Sequence, residues 1–394
     1  MKRRKRVYLF FIIFFLIIKV PILVCAQNTD QKAAANAEDE QEDFLEELTD
    51  SIDFTELDAF LEDSTGDKLT FSKVVEGFLE NGISTDSIKN VGDFVLDTLF
   101  GEIEKNRTLL LEMILLAVAF SILKNFSGVF GSSYISDLCF ILVYCVLALM
   151  LITSIASLQT IVSETITQSV DFMKMLVPAF CISMVFSSNI SSSAGFYQLA
   201  FLVIYIIEWV FLNVFLPMIH IYVLFVILNH FMEEEHFFHL TELFRELISK
   251  GIKLAGVAVL GLSVVQNLIS PAKDRVSQGT LGRAVSVIPG VGNAISGVGE
   301  VLLGTGIVVK NSIGAAGVVV LVIIGLIPLL KIVCLAFFYK LAAAITEPVT
   351  DKRISGCLKG MADGADLYLR LLGYCLLLFF IIIGLTTAAT SFIY

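Results

Sequence analysis

Six stretches of this chain carry no aspartate, glutamate, lysine or arginine: residues 138–163, 175–207, 209–232, 254–272, 311–330 and 371–394. A helix rises about 1.5 Å per residue, so roughly 20 apolar residues cross the ~30 Å hydrocarbon core of a bilayer. Every run is about that long or longer. Hydrophobic residues make up 56% of the chain and charged residues 16%, less charge than a soluble domain of this length carries. The expected fold is an all-α polytopic membrane protein. Candidate spans centre on 109–126, 138–158, 175–188, 196–214, 215–231, 254–269, 313–333 and 367–385. The polar 187–195 stretch makes the third hairpin shallow, so the expectation is seven or eight spans. Residues 159–174 read as an amphipathic helix lying at the interface.

The amino terminus has the pattern of an export signal. Five basic residues, Lys2 to Arg6, precede an apolar run over 7–18, and Val24-Cys25-Ala26 offers a small-residue cleavage site. The alternative is an uncleaved anchor. With cleavage the domains divide as a signal peptide (1–26), an acidic exported segment with short amphipathic helices (27–108) and a polytopic membrane domain (109–394). Residues 27–108 hold 22 acidic and six basic residues, whereas 109–394 hold 16 and 15. The net charge therefore sits in the exported segment, and its sign argues against nucleic acid. Low apolar content predicts disorder over 33–43. Apolar periodicity predicts helices over 43–63, 71–79 and 88–100. These helices suit a partner or the membrane surface better than a deep core.

Residues 279–317 contain ten of the 27 glycines and one proline, Pro289. Glycine lets helices approach closely in lipid and lets backbone unwind where water or protein can satisfy it. The segment is therefore either a packing seam or a broken, re-entrant gate element. Its candidate residues are Gly279, Gly282, Arg283, Pro289, Gly290, Gly292, Asn293, Gly297, Glu300, Gly304, Gly306, Lys310 and Asn311. The basic content of 233–253 and 339–370 puts both loops in the cytoplasm by the positive-inside rule. That places 271–310 near the outer side, although Lys273, Arg275, Arg283 and Lys310 run against it. Gly290-Val-Gly292 is not a dinucleotide loop, because the third glycine is misplaced and no strand or acidic partner accompanies it. Gly304-Thr-Gly306 lacks the Gly-Lys-Ser/Thr of a phosphate loop.

Charges within apolar sequence mark positions that face a partner or water, since a charge at the bilayer centre costs at least ~2.5–3.5 kcal/mol. They are Glu112, Lys124, Glu208, Glu300, Lys310 and Lys331. Glu208 is the strongest candidate for an internal position. Glu300 and Lys310 could pair only if the helix bends near Gly304–Gly306. Lys124, Lys310 and Lys331 could instead snorkel to the interface. The four histidines, His220, His230, His236 and His239, surround Glu233–Glu235. A carboxylate-bridged metal site needs a second Glu-x-x-His, which is missing, so a polar interfacial loop is the simpler reading. The six cysteines beyond Cys25 show no metal-like spacing and suit apolar packing, with Cys357 in a loop. No catalytic, cofactor-binding or metal-ligating residue is assigned.

The stretch GTLGRAVSVIPGVGNAISGVGEVLLGTGIVVKNSIG closely resembles the stage III sporulation protein AE family. So do Leu326-Ile-Pro328-Leu-Leu-Lys331, Glu347-Pro348 and Asp351-Lys352-Arg353, with Asn106-Arg107 and Leu123-Lys124-Asn125 around the first span. The resemblance implies a subunit of the transenvelope channel, or feeding tube, of endospore-forming bacteria. Such a subunit sits in the mother-cell membrane surrounding the forespore. Its implied partners are the other stage III A proteins and the forespore stage II Q protein, with membrane lipid around it and room for a homo-oligomer. The family brings no catalytic residues. Two other readings stand beside it: a secondary transporter with a substrate site at a broken helix, and an intramembrane metalloenzyme built on the histidines.

Overall fold

The architecture is a computed structural model that describes residues 52–65, 70–81, 101, 103–104, 106–122, 133–186, 190–232, 237–259, 261 and 292–389. The export signal, the 33–43 stretch, the 88–100 helix, Lys124, His236 and the Gly279, Gly282, Arg283, Pro289 and Gly290 positions lie outside the described residues. Among the described residues the secondary structure is helical, with no strand. The helices are α1 (Thr55–Thr65), α2 (Phe71–Asn81), α3 (106–122), α4 (Ser133–Phe186), α5 (Ile190–Val210), α6 (Leu216–Phe231), α7 (238–259), α8 (Gly292–Thr346) and α9 (Lys352–Ala389). Four stretches are long and apolar enough to cross a membrane: Phe140–Ser183, Gln198–Phe231, Ile307–Thr346 and Lys352–Gly384.

Two of the expected boundaries are absent. Helix α4 runs unbroken for 54 residues, about 80 Å at 1.5 Å per residue. It joins the 138–158 and 175–188 segments through the stretch read as interfacial. That stretch has the residues to do so: 159–174 contains neither glycine nor proline, and its Val162, Ile166, Val170 and Met173 are buried on one side of the helix. Likewise α5 continues into α6. Pro217 has no N–H to donate and its ring crowds the preceding turn. The five-residue π-turn Phe211–Phe215 absorbs it, with the Leu216 N–H donating to the Phe211 carbonyl.

The long helices lie antiparallel. Ser154 meets Tyr339 and Leu176 meets Gly317, which sets α4 against α8. Gly325 meets Leu376 and Gly314 meets Thr387, which sets α8 against α9. Close approach along these seams depends on glycine. A Cβ on Gly317 would lie 2.8 Å from Leu176 Cδ2, and one on Gly314 would lie 2.7 Å from Thr387 Oγ1. Helix α9 presents Gly356, Gly360 and Gly364, four apart, to His230, Val226 and Val223 of α6. Spaced small residues of this kind let membrane helices approach backbone to backbone.

The stretch 339–370, expected as a basic loop, is almost wholly helical. Only 347–351 turns between α8 and α9, where the Val349 and Thr350 N–H groups donate to the Thr346 carbonyl at 3.0 and 2.9 Å. Asp351 then caps α9: its carboxylate accepts the Arg353 N–H at 3.1 Å, as an N-cap side chain does. Cys357 lies buried on α9 instead of in a loop. Within the acidic segment, α1 and α2 form a hairpin. Asp58 accepts the Ser72 N–H at 2.9 Å and also its hydroxyl. Phe60 and Phe71 of the hairpin lie 6.1 and 6.3 Å, ring centre to ring centre, from Phe172 of α4. The acidic segment thus docks on the bundle.

Candidate functional site

The charges picked out within apolar sequence meet three different fates. Lys310 is fully buried, and its Nζ donates to the Thr387 carbonyl at 3.2 Å. It does not snorkel, because it sits where α8 crosses the last turns of α9, whose terminal carbonyls have no intrahelical partner. Asn311 beside it holds a buried Oδ1 with no hydrogen-bond partner. Glu208 of α5 accepts Lys174 of α4 at 3.0 Å, and Lys174 lies 3.6 Å from Asp171. This pair pins α5 to α4. A double-mutant cycle on Lys174→Ala and Glu208→Gln is expected to give a coupling of about 1 kcal/mol in thermal unfolding, as partly exposed pairs do.

Glu112 and Lys331 come together. Both line an open cleft of about 660 Å³ between α3, α4 and α8, with Asn106, Thr153, Ser154 and Ser157 among its walls. No salt bridge joins the two charges. The hydroxyls of Thr153 and Ser157 donate to the Leu149 and Thr153 carbonyls at 2.8 and 3.2 Å. Ser154 Oγ accepts the Tyr339 hydroxyl at 2.6 Å. The cleft coincides with a change in the outward face of α4. Leu138, Ile141, Leu142 and Val146 are exposed below it, Leu149 lines it, and Thr153, Ser157, Thr160, Glu164 and Gln168 are exposed from there onward. Apolar side chains at three- and four-residue spacing suit lipid, and Glu164 and Gln168 on the same face suit water.

The glycine-rich segment resolves in part. Gly292, Asn293, Gly297, Glu300, Gly304, Gly306, Lys310 and Asn311 lie on the unbroken α8. The re-entrant break is not present there, and Glu300 and Lys310 lie ten residues apart on one continuous helix. From Gly314 to Gly325 the glycines form a packing seam, because α4 and α9 supply bulky partners that occupy the missing Cβ positions. Pro328 lies inside the same helix.

Pro348, Asp351, Lys352 and Arg353 form the α8–α9 turn and the start of α9. The Arg353 guanidinium stacks 3.6 Å above the Phe140 ring, and its Nε lies 3.6 Å from Asp351 Oδ1. Phe140 packs on Phe120 and Tyr144, and the Tyr144 hydroxyl donates to the Ile227 carbonyl at 2.6 Å. One arginine therefore holds the turn against α4. Arg353→Leu is expected to lower stability by about 1–2 kcal/mol through the lost cation–π contact, read as a lower unfolding midpoint.

The three described histidines do not converge. His230 Nδ1–H donates to the Val226 carbonyl on its own helix at 2.8 Å, His239 meets the neighbouring Phe238 ring edge-on, and His220 Nδ1 is buried with no partner. Among the described residues no three histidines, cysteines or carboxylates gather as metal ligands. A row the sequence did not single out ties the bundle together: Arg245 with Asp363 at 3.1 Å, Lys340 with Asp366 at 2.7 Å, and Arg370 with Ser249 at 3.2 Å. Its signal was present, since Asp363, Asp366 and Arg370 recur at three and four residues among apolar neighbours.

The described residues are all helical, with four stretches able to cross a membrane and an ionisable cleft between α3, α4 and α8. The chain belongs to the stage III sporulation protein AE family, whose model matches residues 69–390. It is 25% identical over 294 residues to the stage III sporulation protein AE of Bacillus subtilis (strain 168), covering 74% of this chain and 73% of that protein. No solved structure matches it. The apolar helices and the family together fit a membrane protein of sporulation.

Proposed function

We propose that the chain is a non-enzymatic, multi-pass membrane subunit of the stage III sporulation channel between mother cell and forespore. The family match across most of the chain carries this reading. The chain is exported through its amino-terminal signal and resides in the mother-cell membrane around the forespore. It assembles with the other stage III A proteins and the forespore stage II Q protein. The stretches 109–126 and 254–269 are further crossings beside the four long helices. The test is deletion in the sporulating host, followed by affinity purification of the tagged chain. Arrest of forespore development and recovery of the stage III partners are expected. Normal spores from the deletion strain would end the proposal.

A secondary transporter is the second reading, and the Glu112–Lys331 cleft favours it. Solute uptake by the purified chain alone in liposomes would support it over the subunit reading.

A further inference from the structure

We infer that the cleft between α3, α4 and α8 binds a small zwitterion of the α-amino acid type. Its ammonium would lie against Glu112 and the hydroxyl oxygens of α4, and its carboxylate against Lys331. The inference starts from two opposite charges that share one cleft without pairing with each other. Apolar side chains, Leu109, Met150 and Leu335 among them, share the lining with the two charges, and a ligand that pairs with both neutralises the cleft as it enters.

The polarity of the walls gives the orientation. Thr153 and Ser157 spend their protons on backbone carbonyls of their own helix. They therefore offer only lone pairs to the cleft, which suits the N–H groups of an ammonium. Glu112, carried by α3, adds a carboxylate acceptor. Lys331, which α8 contributes to the same lining, is a pure donor and suits a carboxylate. A singly charged ion would match one wall and leave the other charge unpaired, so the site discriminates against it. An open cleft of about 660 Å³ has room for a small amino acid.

The inference rests on the cleft geometry and requires neither transport nor assembly. It is tested on the purified full-length chain in lipid nanodiscs by titration calorimetry. The probes are glycine and alanine as zwitterions, ethylamine as the cation alone and acetate as the anion alone. Saturable binding of a zwitterion is expected, with both single-charge probes at least about tenfold weaker. Glu112→Gln and Lys331→Gln are each expected to weaken zwitterion binding at least about tenfold. The exchange Glu112→Lys with Lys331→Glu is expected to recover only part of that loss, because the reversed ligand sets its carboxylate against the Thr153 and Ser157 lone pairs; a merely structural role for either residue would give no recovery. Circular dichroism and unfolding midpoints confirm that each variant is folded. Absence of saturable zwitterion binding to the folded chain would overturn the inference. So would acetate or ethylamine binding as tightly as the zwitterions, or variants that bind like the wild type. Because the chain is assayed alone, a negative result here leaves the channel-subunit proposal to its own test.

Discussion

Leucine in place of Gly360 is expected to prevent α6 and α9 from packing, with a loss of about 3 kcal/mol or more. The Cβ position of Gly360 is already occupied by Val226 Cγ1 of α6, and the flanking glycines have equally close neighbours: His230 lies 2.6 Å from a Cβ on Gly356, and Val223 lies 2.8 Å from one on Gly364. Neither helix can yield easily. Helix α9 is held on its other sides by Arg245–Asp363 and Lys340–Asp366, and α6 carries the buried Ile219, Tyr222 and Val226. The control is Gly384→Ala, where nothing lies within 4 Å of the added methyl. There the helix gains roughly 0.5–1 kcal/mol from the better helix former. Unfolding midpoints in detergent should therefore move in opposite directions for the two variants. A Gly360→Leu chain that unfolds with the wild type would show that the α6–α9 seam is not as close as described.

Phe172→Ala is expected to have the second large effect, about 3–5 kcal/mol. Its ring is fully buried and lies between the bundle and the α1–α2 hairpin, facing both Phe60 and Phe71. Removing it takes away the main apolar contact of the acidic segment with α4. The hairpin, itself clasped by Asp58 and Ser72, should loosen from α4 while α2 keeps its packing on α8. Limited proteolysis should then cut ahead of the bundle at lower protease concentrations and leave the α8–α9 seam protected. An unchanged digestion pattern would mean that the hairpin is held elsewhere.

Much of this fold was written in composition and periodicity. Continuous apolar runs of about 20 residues satisfy their backbone in an apolar medium as helices, since barrel strands are shorter and alternate in polarity, so the helical class and the long hydrophobic elements follow directly. The α2 helix follows from its spacing as well: the expected 71–79 became Phe71–Asn81. Helix ends were harder to see. The polar stretch 159–174 resembled an interfacial element because periodicity reports one polar face, and a polar face can meet water, lipid headgroups or a neighbouring helix. Here its apolar side is buried within α4 and its polar side is outward. Charges in 339–370 resembled a loop for a related reason. A sequence does not reveal that Asp363, Asp366 and Arg370 find Arg245, Lys340 and Ser249 from distant segments.

The candidate site was legible as residues and not as a place. Cost arguments selected Glu112, Glu208, Lys310 and Lys331 one at a time. Which would share a cleft depends on the register of α3, α4 and α8, which long-range packing sets. The glycine-rich segment shows the same limit. Glycine is compatible with both close packing and a break, and only the facing side chains decide. Leu176, Phe180, Leu376 and Thr387 decide for packing from Gly314 to Gly325.

The account depends most on the boundary that α4 marks at Thr153, where a lipid-like face gives way to a water-accessible cleft. Substituted-cysteine labelling in sealed membranes tests it directly, using a chain in which the exposed Cys145 is replaced by alanine. Single cysteines are placed at Leu142, Val146, Thr153 and Ser157 and challenged with a charged thiol reagent that does not enter lipid. All four positions are outward on the same helix, so simple exposure cannot separate them. Labelling at Thr153 and Ser157 with protection at Leu142 and Val146 is the predicted result. Equal labelling at all four, or protection of Thr153 and Ser157, would contradict a wet cleft within a membrane-crossing bundle.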